Sequence, residues 1–169
     1  KNELNFKEIA LDVKDMCAGR ATFIINDKVE IADFVDADGV HLGKHDMHPE
    51  LARDILGNKI IGGTANTVED IRRIELWVDY VGVGPYRFTT TKKELSPILG
   101  VDGYKQILSQ GVSVPMVAIG GIELEDVDLL METTNLHGVA LSGLIKNAPN
   151  KKEIVEQLNE AIYGKVENR

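Results

Sequence analysis

Cysteine, aromatic residues and long apolar runs are scarce in this 169-residue chain, and each scarcity excludes something. A lone Cys17 has no partner within the chain, so a disulfide framework is excluded and a reducing, cytoplasmic setting is expected. The longest apolar runs, such as Ser113–Ile122, fall well short of the roughly 20 residues that a membrane helix needs. No charged-then-apolar leader precedes the first helix-like segment, so no secretion signal is expected. Positive charge is outweighed, with a formal net charge of −8 and a pI near 5.0, which argues against nucleic acid and anionic membrane as partners. An acidic chain that handles an anionic substrate needs a local cluster of positive groups or a metal. No G-x-G-x-x-G stands between a strand and a helix, so a dinucleotide fold has no support.

What is present is globular in composition, 43% hydrophobic and 27% charged, and its sixteen glycines recur directly after short β-branched runs. The periodicity predicts strands at Thr22–Asn26, Gly39–Leu42, Lys59–Gly62, Tyr80–Val83, Pro115–Ile119 and Gly138–Leu141. Several are continuous apolar runs, the pattern of strands buried on both faces of a parallel sheet. Amphipathic helices are predicted between them. Phe6, Ile9, Val13 and Met16 share one face of the first. His48–Leu56 has Pro49 at a helix-start position and Gly57 as its stop, and Thr67 with Asp70 suits a capping box for Val68–Leu76. Segments near Asp102–Gln110, Glu123–Met131 and Lys151–Ile162 complete the set, the last between Asn150 and Gly164. Six such strands fit an open doubly wound sheet or part of a (β/α)8 TIM barrel. The paired AIGG and ALSG signals after the last two strands resemble the phosphate site that barrels build there, which favours the barrel. A barrel, however, has eight strands and typically about 250 residues.

Polar residues follow the C-terminal end of each predicted strand, where such folds place their sites. Asp27 and Asp46 follow two different strands. Mg²⁺ takes one or two carboxylates plus phosphate oxygens and water, so the pair is sufficient for it; equally, Asp27 could cap a helix from Lys28 and Asp46 could sit in a solvated turn. Gly120, Gly121, Ser142 and Gly143 offer backbone N–H groups to a phosphate, although tight strand-to-helix turning requires glycine too. The run Thr89–Lys93 concentrates two lysines after three hydroxyl residues, a diphosphate-binding composition and also that of a basic surface loop. His45, Asp46 and His48 lack a fourth ligand for a transition-metal site. His41, His137 and Trp77 read as structural, and Cys17 as buried and inert.

Six blocks, FIINDKVEIA, ADGVHLGKHD, IIGGTANT, DYVGVGPYRFTTTKK, VPMVAIGGI and GVALSG, in this order and spacing, resemble the thiamin phosphate synthase (thiamin-phosphate pyrophosphorylase) family over the length of the chain. The resemblance implies one (β/α)8 barrel domain over residues 1–169, lacking the family's first two strands, with Lys1 ending a Q-x-R-x-K motif. It implies an Mg²⁺-dependent transferase of thiamine biosynthesis that joins an aminopyrimidine diphosphate to a thiazole phosphate and releases pyrophosphate. Asp27 and Asp46 are the implied metal ligands. Lys1 and Asn26 are implied to bind substrate, with Asn26 on the pyrophosphate or pyrimidine side. Thr64 stands where the family usually has serine. Thr89 and Thr91 are implied to contact the thiazole phosphate and Lys92 the pyrophosphate, with Lys92 and Thr64 as catalytic groups. The thiazole phosphate group is expected at Gly120, Gly121, Ser142 and Gly143. Gly63, Asn66, Arg87 and Phe88 depart from the family's pattern. The alternatives are a thiazole tautomerase-like isomerase, which would use a histidine in the Thr64–Thr67 loop, and a non-catalytic barrel that binds a thiazole or pyrimidine phosphate. A homodimer through barrel helices is also suggested by the resemblance.

Overall fold

The computed structural model describes residues 3–88 and 97–164. Its centre is one parallel sheet of six strands, β1 (Ile24–Asn26), β2 (Gly39–Leu42), β3 (Ile60–Ala65), β4 (Tyr80–Val83), β5 (Met116–Ile119) and β6 (Gly138–Ala140), each hydrogen-bonded to its sequence neighbours. The order β1-β2-β3-β4-β5-β6 has no reversal, so the doubly wound alternative is excluded. The helices are α1 (Glu3–Cys17), α2 (Val29–Phe34), α3 (Pro49–Leu56), α4 (Val68–Ile74), α5 (Gly100–Leu108), α6 (Leu124–Thr133), α7 (Gly143–Asn147) and α8 (Lys151–Tyr163).

The local signals act as the sequence suggests. His48 accepts from the Glu50 amide ahead of Pro49, and Gly57 ends α3 at φ 58°. Thr67 and Asp70 form the expected capping box on α4, and Asn150 accepts from the Glu153 amide at the start of α8. Of the short helices, α2 matches the alternative helix from Lys28, although Lys28 and not Asp27 occupies its N-cap, and α7 has no counterpart in the sequence pattern.

The central strands β2, β3 and β4 are largely buried on both faces, whereas the edge strands β1 and β6 are not. Ile25, Val40, Leu42, Ile61, Val81, Val83, Met116 and Ala118 are buried with helix side chains such as Ile71, Tyr104 and Leu130, while the alternate residues face a second, partly open side. β1 and β6 remain edges among the described residues, so the second side is not enclosed. Asn26, His41, Thr64, Tyr80 and Ile119 lie on this open side, together with Gly39, Gly62, Gly82 and Gly138.

α1 departs furthest from expectation. Phe6, Ile9, Val13 and Met16 are all exposed, and Ala10 alone of the helix is buried. The strand that follows the helix, β1, is the sheet edge, so the surface available for α1 to pack on ends there. Cys17 is correspondingly half-buried rather than buried, beside Lys14, Phe23 and Asp38.

Candidate active site

β3 runs three residues further than its apolar pattern predicts, to Ala65, and this carries Thr64 onto the sheet. Gly62 ends the expected strand and Gly63 lies just past it, but here both sit within β3 and admit neighbouring side chains. A Cβ on Gly62 would lie 2.3 Å from the Tyr80 ring and 2.5 Å from His41 Nδ1. In the space that glycine leaves, His41 Nδ1 lies 3.0 Å from the Tyr80 hydroxyl and Nε2 lies 3.0 Å from Thr64 Oγ1. Three strands thus supply a continuous Tyr80–His41–Thr64 hydrogen-bonded chain on the open side. Burial pushes the Tyr80 hydroxyl above its ordinary pKa, so it stays protonated. His41, read from sequence as structural, belongs to this polar chain.

Asn26 is in register with His41, and the amide of Asp27 donates to the His41 carbonyl at 2.9 Å. Asp27 takes a left-handed backbone, φ 67°, which an aspartate tolerates better than most residues. Asp46 lies in the turn after β2, where its Oδ2 accepts from the Gly43 amide at 2.7 Å. Both carboxylates are exposed, at the C-terminal ends of two adjacent strands. Their chemistry fits Mg²⁺: a hard, all-oxygen set from two carboxylates, with Asn26 beside them, leaving further positions for phosphate oxygens and water. Among the described residues no group of three or more His, Cys, Asp or Glu is arranged to hold a metal ion. His48 is engaged as the α3 cap, with its ring against Trp77.

Lys44, in the same β2–α3 turn, reaches the neighbouring β3–α4 turn, with Nζ 2.5 Å from Asp70 Oδ2. That oxygen also accepts from the Asn66 and Thr67 amides at 3.0 and 3.1 Å. Burial works to raise the Asp70 pKa, but Lys44 and the two amides outweigh it and hold the carboxyl below the ordinary range. The Asn66 side chain donates to the Gly84 carbonyl. The sequence marks Asp70 only as a capping residue and does not single out Lys44.

The other expected site lies at the far end of the sheet. Ile119 pairs with Ala140, which brings Gly120–Gly121 alongside Leu141–Ser142. Gly120 and Gly121 have φ of +96° and +68°. The glycine requirement there has a cause within the protein: added Cβ atoms would meet Pro85 at 2.9 Å and the Phe88 carbonyl at 2.9 Å. Gly143 has open space around its Cα and begins α7, with Ser142 before it. The two ends of the β4–α5 connection are joined, since Leu99 N donates to the Pro85 carbonyl and Gly100 N to the Tyr86 carbonyl, both at 3.0 Å. Lys1, Thr89, Thr91 and Lys92 lie outside the described residues. The structure therefore brings Asn26, Asp27, Asp46 and Thr64 to one end of the sheet and the four glycine-turn residues to the other, all at the C-terminal ends of strands.

The family model for thiamine monophosphate synthase matches residues 1–145. The thiamine-phosphate synthase of Flavobacterium johnsoniae is 50% identical over 165 residues, covering 94% of this chain and 77% of that protein. Its counterpart in Bacteroides fragilis is 50% identical over 157 residues, covering 89% and 76%. The solved thiamine phosphate pyrophosphorylase from Pyrococcus furiosus superposes with a TM-score of 0.86 at 29% identity, over 97% of this chain and 79% of that one. The six parallel strands are a half-barrel of that fold.

Proposed function

This chain belongs to the thiamine monophosphate synthase family, and from that premise we propose that its open face joins an aminopyrimidine diphosphate to a thiazole phosphate. The observation that carries the reading is the gathering of Asn26, Asp27, Asp46 and the Thr64 hydroxyl at the C-terminal ends of β1, β2 and β3. In this reading two further strands between β6 and β1 would complete a (β/α)8 barrel, and the open face would be its interior.

The bond from the pyrimidine methylene to the diphosphate oxygen breaks first, and its electron pair leaves with pyrophosphate. The lone pair of the thiazole nitrogen then forms the new C–N bond to the resulting cation. Asp27 and Asp46 would hold Mg²⁺, which when bound supplies positive charge against the departing oxygens. Asn26 and the Thr64 hydroxyl offer hydrogen bonds to the diphosphate or pyrimidine. His41 accepts from or donates to Thr64 and so orients that hydroxyl. Lys92 adds a positive group against the leaving pyrophosphate, with Thr89, Thr91 and Lys1 as further substrate contacts; these four rest on the sequence resemblance. The backbone amides of Gly120, Gly121, Ser142 and Gly143 would take the thiazole phosphate, at the opposite end of the sheet from the carboxylates.

A tautomerase would need a proton-transfer group in the β3–α4 turn. The residue there is Asn66, whose side chain is committed to the Gly84 carbonyl, which favours the synthase. Homodimerisation through outer helices, where α1 leaves Phe6 and Ile9 exposed, belongs to the same reading. The single cysteine suits a cytoplasmic setting. The test is pyrophosphate release with both substrates present. Release that needs both substrates and Mg²⁺ supports the synthase, whereas thiazole isomerisation without release, or binding without turnover, replaces it.

A further inference from the structure

The β4–α5 turn and the Gly120–Gly121 turn are built as one unit. Tyr86 N donates to the Ile119 carbonyl at 2.9 Å and Arg87 N to the Gly120 carbonyl at 3.0 Å. The Cα of Gly121 is sealed by the Arg87 and Phe88 carbonyls and by the Arg87 Cβ, all about 3 Å from where a Cβ would sit. One side chain fastens this segment from the other direction. Asp126, in the first turn of α6 and 5% exposed, accepts on Oδ1 from the Arg87 guanidinium at 2.6 Å and from the Tyr86 hydroxyl at 3.2 Å. Its Oδ2 accepts from the Glu123 amide at 2.9 Å. A single buried carboxylate therefore ties residues 86 and 87 to the helix that begins three residues after the glycine pair. The Arg87 guanidinium remains half-exposed beyond its bond to Asp126.

We propose that Arg87 and Asp126 are a positioning pair for the Gly120–Gly121 turn, setting its affinity for the phosphate of the thiazole substrate. This rests on the reading of that turn as the thiazole-phosphate site. Neither residue touches the substrate in this role. They act by pressing residues 85–88 against two glycines whose left-handed backbone aims the following amides. A charge-assisted bond to a buried carboxylate is the kind of contact that can hold such a turn in one shape.

The test is steady-state kinetics on Arg87→Lys, Asp126→Asn and the double variant Arg87→Met with Asp126→Asn. Asp126→Asn retains an oxygen acceptor for the Tyr86 hydroxyl, and Arg87→Lys retains the charge, so neither strands a buried ion. We expect Asp126→Asn to raise KM for thiazole phosphate about tenfold, with kcat and KM for the diphosphate within about twofold. Arg87→Lys should keep part of the affinity, and the double variant should be no worse than Asp126→Asn, the signature of a coupled pair. Unchanged thiazole phosphate KM, or equal loss in every parameter alongside a lowered melting temperature, overturns the proposal. Amide NMR on the unsubstituted enzyme separates it from the reading beneath it. Shifts at Gly121, Ser142 and Gly143 with thiazole phosphate, and not with the dephosphorylated thiazole alcohol, sustain the phosphate site. Their absence removes both the site and the proposal.

Discussion

His41 Nε2 and Thr64 Oγ1 meet at 3.0 Å across β2 and β3, and Tyr80 holds the other imidazole nitrogen at the same distance. Because the tautomer at one nitrogen dictates the role of the other, the Tyr80 hydroxyl bears on whether Thr64 donates or accepts. Thr64→Val, which keeps the shape and removes the hydroxyl, is expected to lower kcat for pyrophosphate release by about 10- to 100-fold. Thr64→Ser should retain most of it. Equal activity of the valine and serine variants would remove Thr64 from the mechanism.

Gly62 makes this contact possible, and a methyl group there tests it without touching a polar atom. A Cβ 2.3 Å from the Tyr80 ring and 2.5 Å from His41 Nδ1 must displace one or both rings. Gly62→Ala should therefore lose kcat together with stability, by about 1–3 kcal/mol in the range seen for overpacked interiors. Gly143→Ala, with open space around its Cα, should leave stability nearly unchanged. Thermal melts of the two variants side by side check the contrast.

The strands were legible because each β-branched run is followed by glycine or a polar turn, and all six lie within their predicted places to within a few residues. The site was legible in part. The places of Asp27 and Asp46 after successive strands could be read, but their spacing leaves a cap and a solvated turn equally open, and the metal role rests on the family resemblance. Thr64 falls past the expected strand end, since the apolar run stops at Gly62 and nothing in the sequence shows the side chains that fill the space beside Gly62 and Gly63. His41 lies inside GVHL, an apolar run, and its partners are 23 and 39 positions away, a pairing that periodicity does not encode. Asp126 and Arg87 stand 39 positions apart for the same reason. The apolar face of α1 was visible as a pattern, yet a pattern names a face and not its partner.

Asp70 gives a stability prediction with a definite sign. Its pKa is lowered in the folded protein, so its contribution is fully present above the ordinary aspartate pKa of about 3.9 and is lost as pH falls through the lowered folded value. Asp70→Asn should cost about 1 kcal/mol at neutral pH through the weakened cap and the lost bond to Lys44. The gap between the parent protein and the variant should narrow below about pH 4. Denaturant titrations at pH 7 and pH 3.5 would check it; a gap that widens in acid contradicts the assignment.

Asp27 is the sharpest test of the metal reading, because its backbone and its carboxylate can be separated. At φ 67°, alanine would add strain, whereas asparagine adopts this conformation readily and glycine without penalty. Asp27→Asn should therefore melt within about 2 °C of the parent, while turnover falls by on the order of 10²-fold or more, since the charge that holds Mg²⁺ is gone. EDTA should abolish pyrophosphate release in the parent enzyme, and added Mg²⁺ should restore it. Thiazole phosphate binding should change little in the variant, because Asp27 follows β1 and the proposed phosphate turns follow β5 and β6, at the other edge of the sheet. Calorimetric titration of the variant with thiazole phosphate reads this directly. If Asp27→Asn left Mg²⁺-dependent release intact, the carboxylates would be structural, Asp27 as a turn residue and Asp46 as the acceptor of the Gly43 amide.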